Sequence, residues 1–211
     1  MSAHGFNIGA LRPSLLFAGL MTDDTKALSE GLKRRDPEVL DRLIELYQQR
    51  LFRYLLFLMA DRALAEDLFQ ETWIRVMERG HQYNASSKFE SWLFAIARNL
   101  VIDVARRKKT RSLDEMADPE SKQPYEPPDE RAVSALEMMV ARESEQAVQV
   151  SLMKIPAYYR EVLLLRFHEE LGLEEIAVVM ATPVSTVKSR LYRGLSALKL
   201  ALPQSAQGGA A

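Results

Sequence analysis

The sequence predicts an all-α protein of two small helical domains joined by a flexible, acidic, proline-rich linker. In both halves of the 211-residue chain, apolar residues recur at three- and four-residue steps. No segment alternates apolar and polar residues for long enough to suggest a half-buried strand. The helical period fails over residues 112–130, where four prolines stand among acidic and polar neighbours. We expect a disordered leader at 1–24, domains at 25–111 and 134–202, the linker at 112–133 and a disordered tail at 203–211.

Three longer helices are predicted in the first domain. Asp36 and Pro37 supply an N-cap and a first-turn proline for one of them. Another starts near Asp61, and a third starts at an S-x-x-E capping box over residues 87–90. The first has one apolar face, formed by Leu40, Leu43, Ile44, Tyr47, Leu51, Tyr54, Leu55 and Leu58. The second carries the apolar residues Leu64, Leu68, Trp73, Ile74 and Met77.

The second domain ends in a pattern typical of a helix-turn-helix. Helical periodicity resumes at a possible capping box over residues 134–137 and continues to about Leu202. Residues 173–180 form a short amphipathic helix and residues 184–200 a longer one, with Thr182 as the expected N-cap and Pro183 as the first helical residue. This spacing allows the second helix to enter a DNA major groove while the first braces it.

The formal net charge of −1 hides a strong segregation of charge along the chain. Residues 98–111 hold six basic side chains and one acidic one, residues 112–145 ten acidic and three basic, and residues 183–200 four basic and none acidic. The average argues against a nucleic-acid binder. The local charges favour one, because attraction to phosphate depends on the charge of the face that meets it.

Enzymatic and metal-dependent functions find little support in the sequence. The chain has no cysteine, which excludes a disulfide scaffold, cysteine-bearing zinc sites and thiol chemistry. His168-Glu169-Glu170 is not H-E-x-x-H because residue 172 is Gly, and the E-x-x-H at 78–81 has no second copy. No Gly-rich phosphate loop is present. We expect no catalytic residue, no metal and no cofactor.

No segment approaches the roughly 18–20 apolar residues needed to cross a membrane. Residues 15–21 mimic the apolar part of a signal peptide, but only Arg12 precedes them, no clear cleavage site is present, and Asp23 and Asp24 follow. A leader is therefore favoured over a signal peptide. Translation from Met21 is an alternative start.

Three sets of residues are candidates for binding. The exposed side of the last helix offers hydroxyls and cations for bases and phosphates, with a solvated hairpin as the alternative: Ser185, Thr186, Lys188, Ser189, Arg190 and Arg193. An acidic face at Asp67, Gln70 and Glu71 either docks a basic partner or simply faces solvent. The basic stretch Arg98, Asn99, Arg106, Arg107 and Lys108 suits DNA, and Trp92 either stacks on an unpaired base or packs in the core.

Four motifs resemble those of a known family. DLFQET at 67–72 and SWLFAIARNLVID at 91–103 resemble the second conserved region of bacterial sigma factors. IPAYYREVLLLR at 155–166 and PVSTVKSRL at 183–191 resemble the fourth. Their order, with a bare linker in place of a third region, resembles the extracytoplasmic-function (ECF, group IV) class. The resemblance covers about residues 25–110 and 135–200.

The resemblance implies a cytoplasmic sigma factor that binds core RNA polymerase and promoter DNA and is controlled by an anti-sigma factor. Asp67, Gln70 and Glu71 would bind the β′ clamp, and the second domain would meet the β flap. The −10 element would be contacted by Tyr83, Asn84, Lys88, Trp92, Arg98, Asn99, Arg106, Arg107 and Lys108. The −35 element would be read by Ser185, Thr186, Lys188, Ser189, Arg190 and Arg193.

Two departures from the family pattern lie around the helix-turn-helix. Ala181 stands where the family usually has the turn glycine, and a left-handed alanine costs about 1 kcal/mol. Gly172-Leu173 replaces a commoner Ser/Thr-Tyr pair. Two other functions are weighed: a stand-alone helix-turn-helix regulator, which would bind palindromic DNA as a dimer without polymerase, and a helical interaction adaptor with solvated basic helices.

Overall fold

The computed structural model describes residues 25–109 and 145–202, and neither range contains a strand. The all-α prediction is confirmed for these residues. The predicted leader, linker and tail, the capping box at 134–137 and the side chain of Lys108 lie outside the described residues, and the domain boundaries stay predictions. The elements are α1 (Thr25–Arg34), α2 (Pro37–Met59), α3 (Arg62–Arg79), a 3₁₀ turn (Gly80–Gln82), α4 (Phe89–Lys109), α5 (Glu145–Leu152), α6 (Ala157–Leu163), a π-helical turn (Leu164–His168), α7 (Leu173–Met180) and α8 (Val184–Ala201).

Aspartate caps start α2 and α3. The Asp36 side chain accepts a 3.0 Å hydrogen bond from the Glu38 N–H, and Pro37 is the first residue of α2. The Asp61 side chain accepts a 3.2 Å hydrogen bond from the Leu64 N–H at the start of α3. Each cap satisfies an N–H group that has no partner within the helix. Both predicted helix starts are confirmed.

The core of the first domain lies between α2, α3 and α4, which pack pairwise. The apolar face predicted for α2 is buried at its centre, including Tyr47, Leu51 and Tyr54. On α3, Trp73 is 6% exposed, whereas Ile74 and Met77 are each 43% exposed. Of the apolar residues that α3 carries, these last two therefore lie outside the buried core. Successive helical residues lie about 100° apart, so Ile74 points away from the core that Trp73 enters.

The second domain contains the predicted helix-turn-helix in α7 and α8. Ala181 between them is left-handed, with φ 49° and ψ 44°, so it adopts the conformation usually taken by glycine. The N-cap predicted at Thr182 was wrong, because its hydroxyl is buried without a hydrogen-bond partner and α8 begins after Pro183. The Pro183 carbonyl accepts hydrogen bonds from the N–H groups of Thr186 and Val187 instead.

A π-helical turn extends α6 and ends at the boundary between the domains. The Glu169 N–H donates to the Leu164 carbonyl at 3.0 Å, a five-residue step that widens the helix. Nothing in the local pattern of residues 164–168 predicted this turn. It places His168 and Glu169 against α2.

The two domains pack directly against each other. Helix α4 lies against α7, and α2 contacts α6. Each domain was expected to have its own modest core, but the buried residues of both form one contiguous cluster. One side of α4 is therefore covered by the helix-turn-helix domain.

Candidate nucleic-acid interface

The exposed side of α3 carries acidic, amide and apolar side chains together. Asp67 and Gln70 are exposed, and Glu71 accepts a 2.7 Å hydrogen bond from Arg75 Nε. Two exposed apolar side chains follow at three- and four-residue steps along the same side. We call this surface the α3 face, and it consists of Asp67, Gln70, Glu71, Ile74 and Met77. Its acids repel phosphate while its apolar residues favour contact with a protein.

The loop that precedes α4 is anchored by a buried tyrosine. Tyr83 is 1% exposed, and its ring centroid lies 5.7 Å from Phe89 and 5.4 Å from Trp92. Its hydroxyl donates to the Ser87 carbonyl at 2.9 Å, and its carbonyl accepts a 2.6 Å hydrogen bond from Ser29 Oγ. The expectation that Tyr83 contacts DNA is corrected, because its burial leaves it to position the loop.

Other members of the predicted −10 set differ in accessibility. Trp92 is half-buried in the aromatic cluster, so packing takes much of its surface. Asn84 is exposed, and its Oδ1 accepts a 3.0 Å hydrogen bond from the Ser86 N–H. The Lys88 side chain is 67% exposed, with its Nζ 2.9 Å from Glu175 Oε1 of α7. This lysine therefore links the loop to the second domain.

The basic end of α4 is divided between solvent and the domain boundary. Asn99, Arg106 and Arg107 are exposed. The Arg98 side chain is only 16% exposed and points to the second domain. The first three can reach a phosphate backbone in this arrangement, whereas Arg98 cannot.

Arg98 meets a buried carboxylate at what we call the Glu161 site, formed by Tyr54, Arg98 and Glu161. Arg98 Nε donates to Glu161 Oε1 at 2.8 Å, and the Tyr54 hydroxyl donates to the same oxygen at 3.0 Å. Burial raises the pKa of the Glu161 carboxyl, and Arg98 and Tyr54 offset only part of that rise. Burial also raises the pKa of Tyr54 well above its ordinary value, so the hydroxyl stays protonated and donates.

A second polar group, which we call the interdomain ion cluster, comprises Arg50 and Arg53 of α2 with His168 and Glu169 at the π-helical turn. Arg50 Nε donates to Glu169 Oε2 at 2.7 Å, and His168 Nδ1 donates to Glu169 Oε1 at 2.9 Å. Arg53 hydrogen-bonds to His168 Nε2. Burial raises the pKa of Glu169, but His168 and Arg50 outweigh it and hold that pKa below its ordinary value.

Sequence reasoning missed both of these groups as contacts between the domains. A signal was present, because Arg50 and Arg53 interrupt the apolar repeat of α2 next to Tyr47 and Tyr54. A charged side chain on a face that is otherwise buried indicates a partner from another element. The sequence did not indicate which acid that partner would be.

The predicted reading face of α8 is partly accessible. Ser185 and Lys188 are exposed, while Arg190 and Arg193 are half-buried. The positive charge of Arg190 is close enough to Glu161 to lower the pKa of that carboxyl. Thr186 and Ser189 are also half-buried, and Ser189 Oγ donates to the Thr186 carbonyl at 3.0 Å.

Neither a metal centre nor a membrane span is found in the part of the chain that the structure describes. Residues 25–109 and 145–202 hold no group of three or more His, Asp or Glu side chains arranged for a cation. Among the helices of these same ranges, none is both long and apolar enough to cross a bilayer.

Two family profiles match the chain in the order that the motifs predicted. The profile described as Sigma-70 region 2 matches residues 43–111, and the one described as Sigma-70, region 4 matches residues 145–198. The first match covers most of α2 with α3 and α4. The second covers α5 to α7 and most of α8.

Curated relatives match most of the chain. The ECF RNA polymerase sigma factor SigW of Bacillus subtilis is 32% identical, over 80% of this chain and 91% of the relative. The chain belongs to the ECF RNA polymerase sigma factors. SigM of Bacillus subtilis is similar to this sigma factor at 32% identity over 76% of the chain and 93% of the relative. The RNA polymerase sigma-H factor of Pseudomonas aeruginosa is 30% identical, over 87% of this chain and 96% of the relative.

Two solved complexes contain a chain that shares the fold of this sigma factor. RpoE of Bartonella quintana, crystallised with the anti-sigma factor NepR, has a TM-score of 0.56 at 20% identity and covers 76% of this chain and 94% of its own. CnrH, solved in complex with the cytosolic domain of CnrY, has a TM-score of 0.55 at 15% identity. The match covers 84% of this chain and 96% of the CnrH chain. At these identities the likeness concerns the fold alone.

Proposed function

We propose that this sigma factor binds core RNA polymerase through the α3 face and directs it to promoters by recognising two DNA elements. The observation that carries the proposal is the separation of surface chemistry between elements. The α3 face is acidic and apolar, whereas the exposed end of α4 and the reading face of α8 are basic. A protein partner and a nucleic acid therefore have different surfaces of the chain to bind.

The −10 element is assigned to the loop before α4 and to α4 itself. Its cations neutralise phosphates, and its amides hydrogen-bond to bases exposed in an opened strand. Tyr83 serves here as a positioning residue, because its ring and hydroxyl hold the loop from inside. The contacting residues are Asn84, Lys88, Trp92, Asn99, Arg106, Arg107 and Lys108, and Arg98 joins them only when the second domain no longer covers it.

The −35 element is assigned to α8, the second helix of the helix-turn-helix. The first turn of this helix presents hydroxyls, and its arginines can pair with both acceptors of a guanine in the major groove. The contacting residues are Ser185, Thr186, Lys188, Ser189, Arg190 and Arg193. A single module of this kind binds weakly, so attachment to polymerase supplies the avidity for both elements.

Core polymerase carries out the catalysis in this proposal, and the chain acts in the cytoplasm as a specificity subunit. Its α3 face meets the β′ clamp and its second domain meets the β flap. Control by an anti-sigma factor is also proposed. The support for it is that both RpoE and CnrH, which share this fold, were solved in complexes, RpoE with an anti-sigma factor and CnrH with CnrY.

Reconstituted transcription tests this function directly. The full chain is added to core RNA polymerase of its source organism, total genomic DNA serves as the template, and the 5′ ends of the transcripts are sequenced. We expect discrete start sites that share two upstream sequence boxes. Start sites that match those of core polymerase alone would refute the proposal.

Changing Lys188 to Ala should weaken recognition of the upstream box while binding to core polymerase is unchanged. The salt slope is the steepness with which the logarithm of the DNA-binding constant falls as the logarithm of the salt concentration rises. Removing one phosphate contact makes this slope shallower by about 0.9. Lys199→Ala, at the exposed last turn of the same helix, is the control and should leave the slope unchanged. Equal slopes for the two variants, or loss of core binding by Lys188→Ala, would contradict the assignment of α8.

A further inference from the structure

We propose that the two domains of this sigma factor close on each other without a partner, and that second-domain carboxylates then occupy the cations that would contact the −10 element. Glu161 is the central carboxylate of this closed, self-inhibited state. The inference rests on the proposed function, since it takes Lys88, Arg98 and Arg190 to be DNA contacts.

The contacts across the boundary pair predicted DNA-binding cations with acids. Arg98 Nε is 2.8 Å from Glu161 Oε1, and Lys88 Nζ is 2.9 Å from Glu175 Oε1. Both cations belong to the first domain and both acids to the second. The carboxylates meet the ammonium and guanidinium groups that a phosphate would otherwise neutralise. The second domain therefore competes with DNA for the same side chains.

The Glu161 site also involves the predicted −35 reader. Glu161 is buried with its side chain 5% exposed, and the Arg190 charge acts on it from α8. Arg190 is half-buried and belongs to the same domain as Glu161, so this carboxylate acts on cations assigned to both promoter elements. Separating the domains frees Arg98, whereas Arg190 stays in the same domain as Glu161.

Two further polar contacts make the closed arrangement specific. Arg50 Nε donates to Glu169 Oε2 at 2.7 Å, and Arg160 Nη1 donates to the Phe57 carbonyl at 2.8 Å. The domains thus meet through charges with defined partners in addition to apolar packing. Such pairs hold one geometry and discriminate against others.

The same chemistry makes the closed state reversible. A buried carboxylate loses its hydration, and its attraction to a cation repays that loss only in part, as the raised pKa of Glu161 reflects. Opening rehydrates Glu161 and Arg98. A partner that binds the open state better than the closed one therefore shifts the population toward opening, and core polymerase is the partner expected to do so.

Energy transfer between two labels on the full chain tests the closure. The protein has no native cysteine, so Glu45→Cys on α2 and Ser196→Cys on α8, both at exposed positions, can be labelled specifically. We expect high transfer in the free chain and low transfer after core polymerase is added. Low transfer in the free labelled chain would overturn the proposal, even if Glu161→Gln could not be purified.

Glu161→Gln is the decisive variant. It keeps the shape of the side chain but leaves Arg98 without a buried counter-charge, so the ratio of open to closed chain should rise about tenfold or more. Glu174→Gln, an exposed acid of the same domain, is the matched control for net charge and should change nothing. Glu175→Gln is a second test and should also raise the ratio of open to closed chain, because it removes the charge that pairs with Lys88. The amide oxygen of Gln can still accept the Gly172 N–H at the start of α7.

DNA binding without polymerase gives an independent readout. A random 30-base-pair duplex is titrated at several salt concentrations with the wild type, Glu161→Gln and Glu174→Gln. Release of Arg98 and Lys88 on opening should steepen the salt slope of Glu161→Gln by up to about 1.8, while Glu174→Gln follows the wild type. Equal slopes for the two variants, with circular dichroism showing both folded, would overturn the role of Glu161.

Reconstituted transcription separates this inference from the proposed function. If the wild type directs specific start sites but neither energy transfer nor DNA binding responds to Glu161→Gln, only the self-inhibited state is refuted. If the free chain closes and Glu161→Gln opens it, but no specific start sites form, the closure stands and the proposed function falls.

Discussion

Ala181 adopts a left-handed conformation between α7 and α8, with φ 49° and ψ 44°. A Cβ in this region approaches the following carbonyl oxygen, and glycine avoids that contact. We expect Ala181→Gly to raise the free energy of unfolding by about 1 kcal/mol, measured by urea denaturation. Ala197→Gly, inside the right-handed helix α8, should lower it by about 1 kcal/mol. A decrease for both variants would contradict the strain at Ala181.

The Glu175 carboxylate joins the start of α7 to the loop before α4. Its Oε2 accepts a 2.7 Å hydrogen bond from the Gly172 N–H, and its Oε1 meets Lys88. Burial raises the pKa of this carboxyl, but Lys88 and Gly172 outweigh it and hold the pKa below its ordinary value. The ionised form is therefore favoured in the folded chain.

A pH series on the unfolding of the chain tests Glu175. A depressed carboxyl pKa contributes stability above the unfolded-state pKa, and that contribution is lost as pH falls through the lower folded-state pKa. The stability difference between the wild type and Glu175→Gln should thus be present at neutral pH and vanish under acidic conditions. A difference that does not depend on pH would show that charge plays no part.

At the scale of single elements, the α3 face allows a direct prediction about affinity for core polymerase. Ile74 and Met77 are each 43% exposed beside the acidic residues of this helix. Replacing both with Ser should weaken binding to core polymerase at least tenfold, because exposed apolar anchors contribute strongly once buried at an interface. Fluorescence anisotropy of labelled chain with core polymerase measures this affinity.

An exposed valine in the second domain provides the control for the α3 face. Val150 on α5 is 54% exposed, so Val150→Ser makes the same chemical change elsewhere on the surface. It should leave polymerase affinity unchanged, and neither variant should alter the unfolding midpoint much. An equal loss of affinity from both variants would remove the case for α3 as the docking helix.

For the whole molecule, the contacts between the domains predict coupled unfolding. Both tryptophans, Trp73 and Trp92, lie in the first domain, so their fluorescence reports that domain, while far-ultraviolet circular dichroism reports all helices. We expect the two signals to coincide in urea for the wild type. Arg50→Gln should separate the two transitions, because it leaves the buried Glu169 carboxylate without its guanidinium partner.

The exposed Arg42 on the same helix is the control for this coupling. Arg42→Gln removes the same charge but no contact to the second domain, so its two transitions should still coincide. Coincident transitions in Arg50→Gln would mean that apolar packing alone couples the domains.

The sequence by itself determined the helical character, the caps at Asp36 and Asp61, the helix-turn-helix and the separation of acidic from basic surfaces. These features depend on residues within about four positions of each other, and the order of the motifs identified the family. Local chemistry is therefore enough to predict which elements form. The resemblance marked Ala181 as standing at the position of the turn glycine, and the structure showed that it is left-handed.

Only the tertiary structure decided which side chains remain available to bind. Arg98 and Glu161 are 63 residues apart in the chain and lie on different domains, so no local period relates them. The same holds for Tyr83, whose carbonyl bonds Ser29 from 54 residues away and whose ring is hidden from DNA. Periodicity shows that a residue lies on a helix face, but the packing of distant elements determines what covers that face.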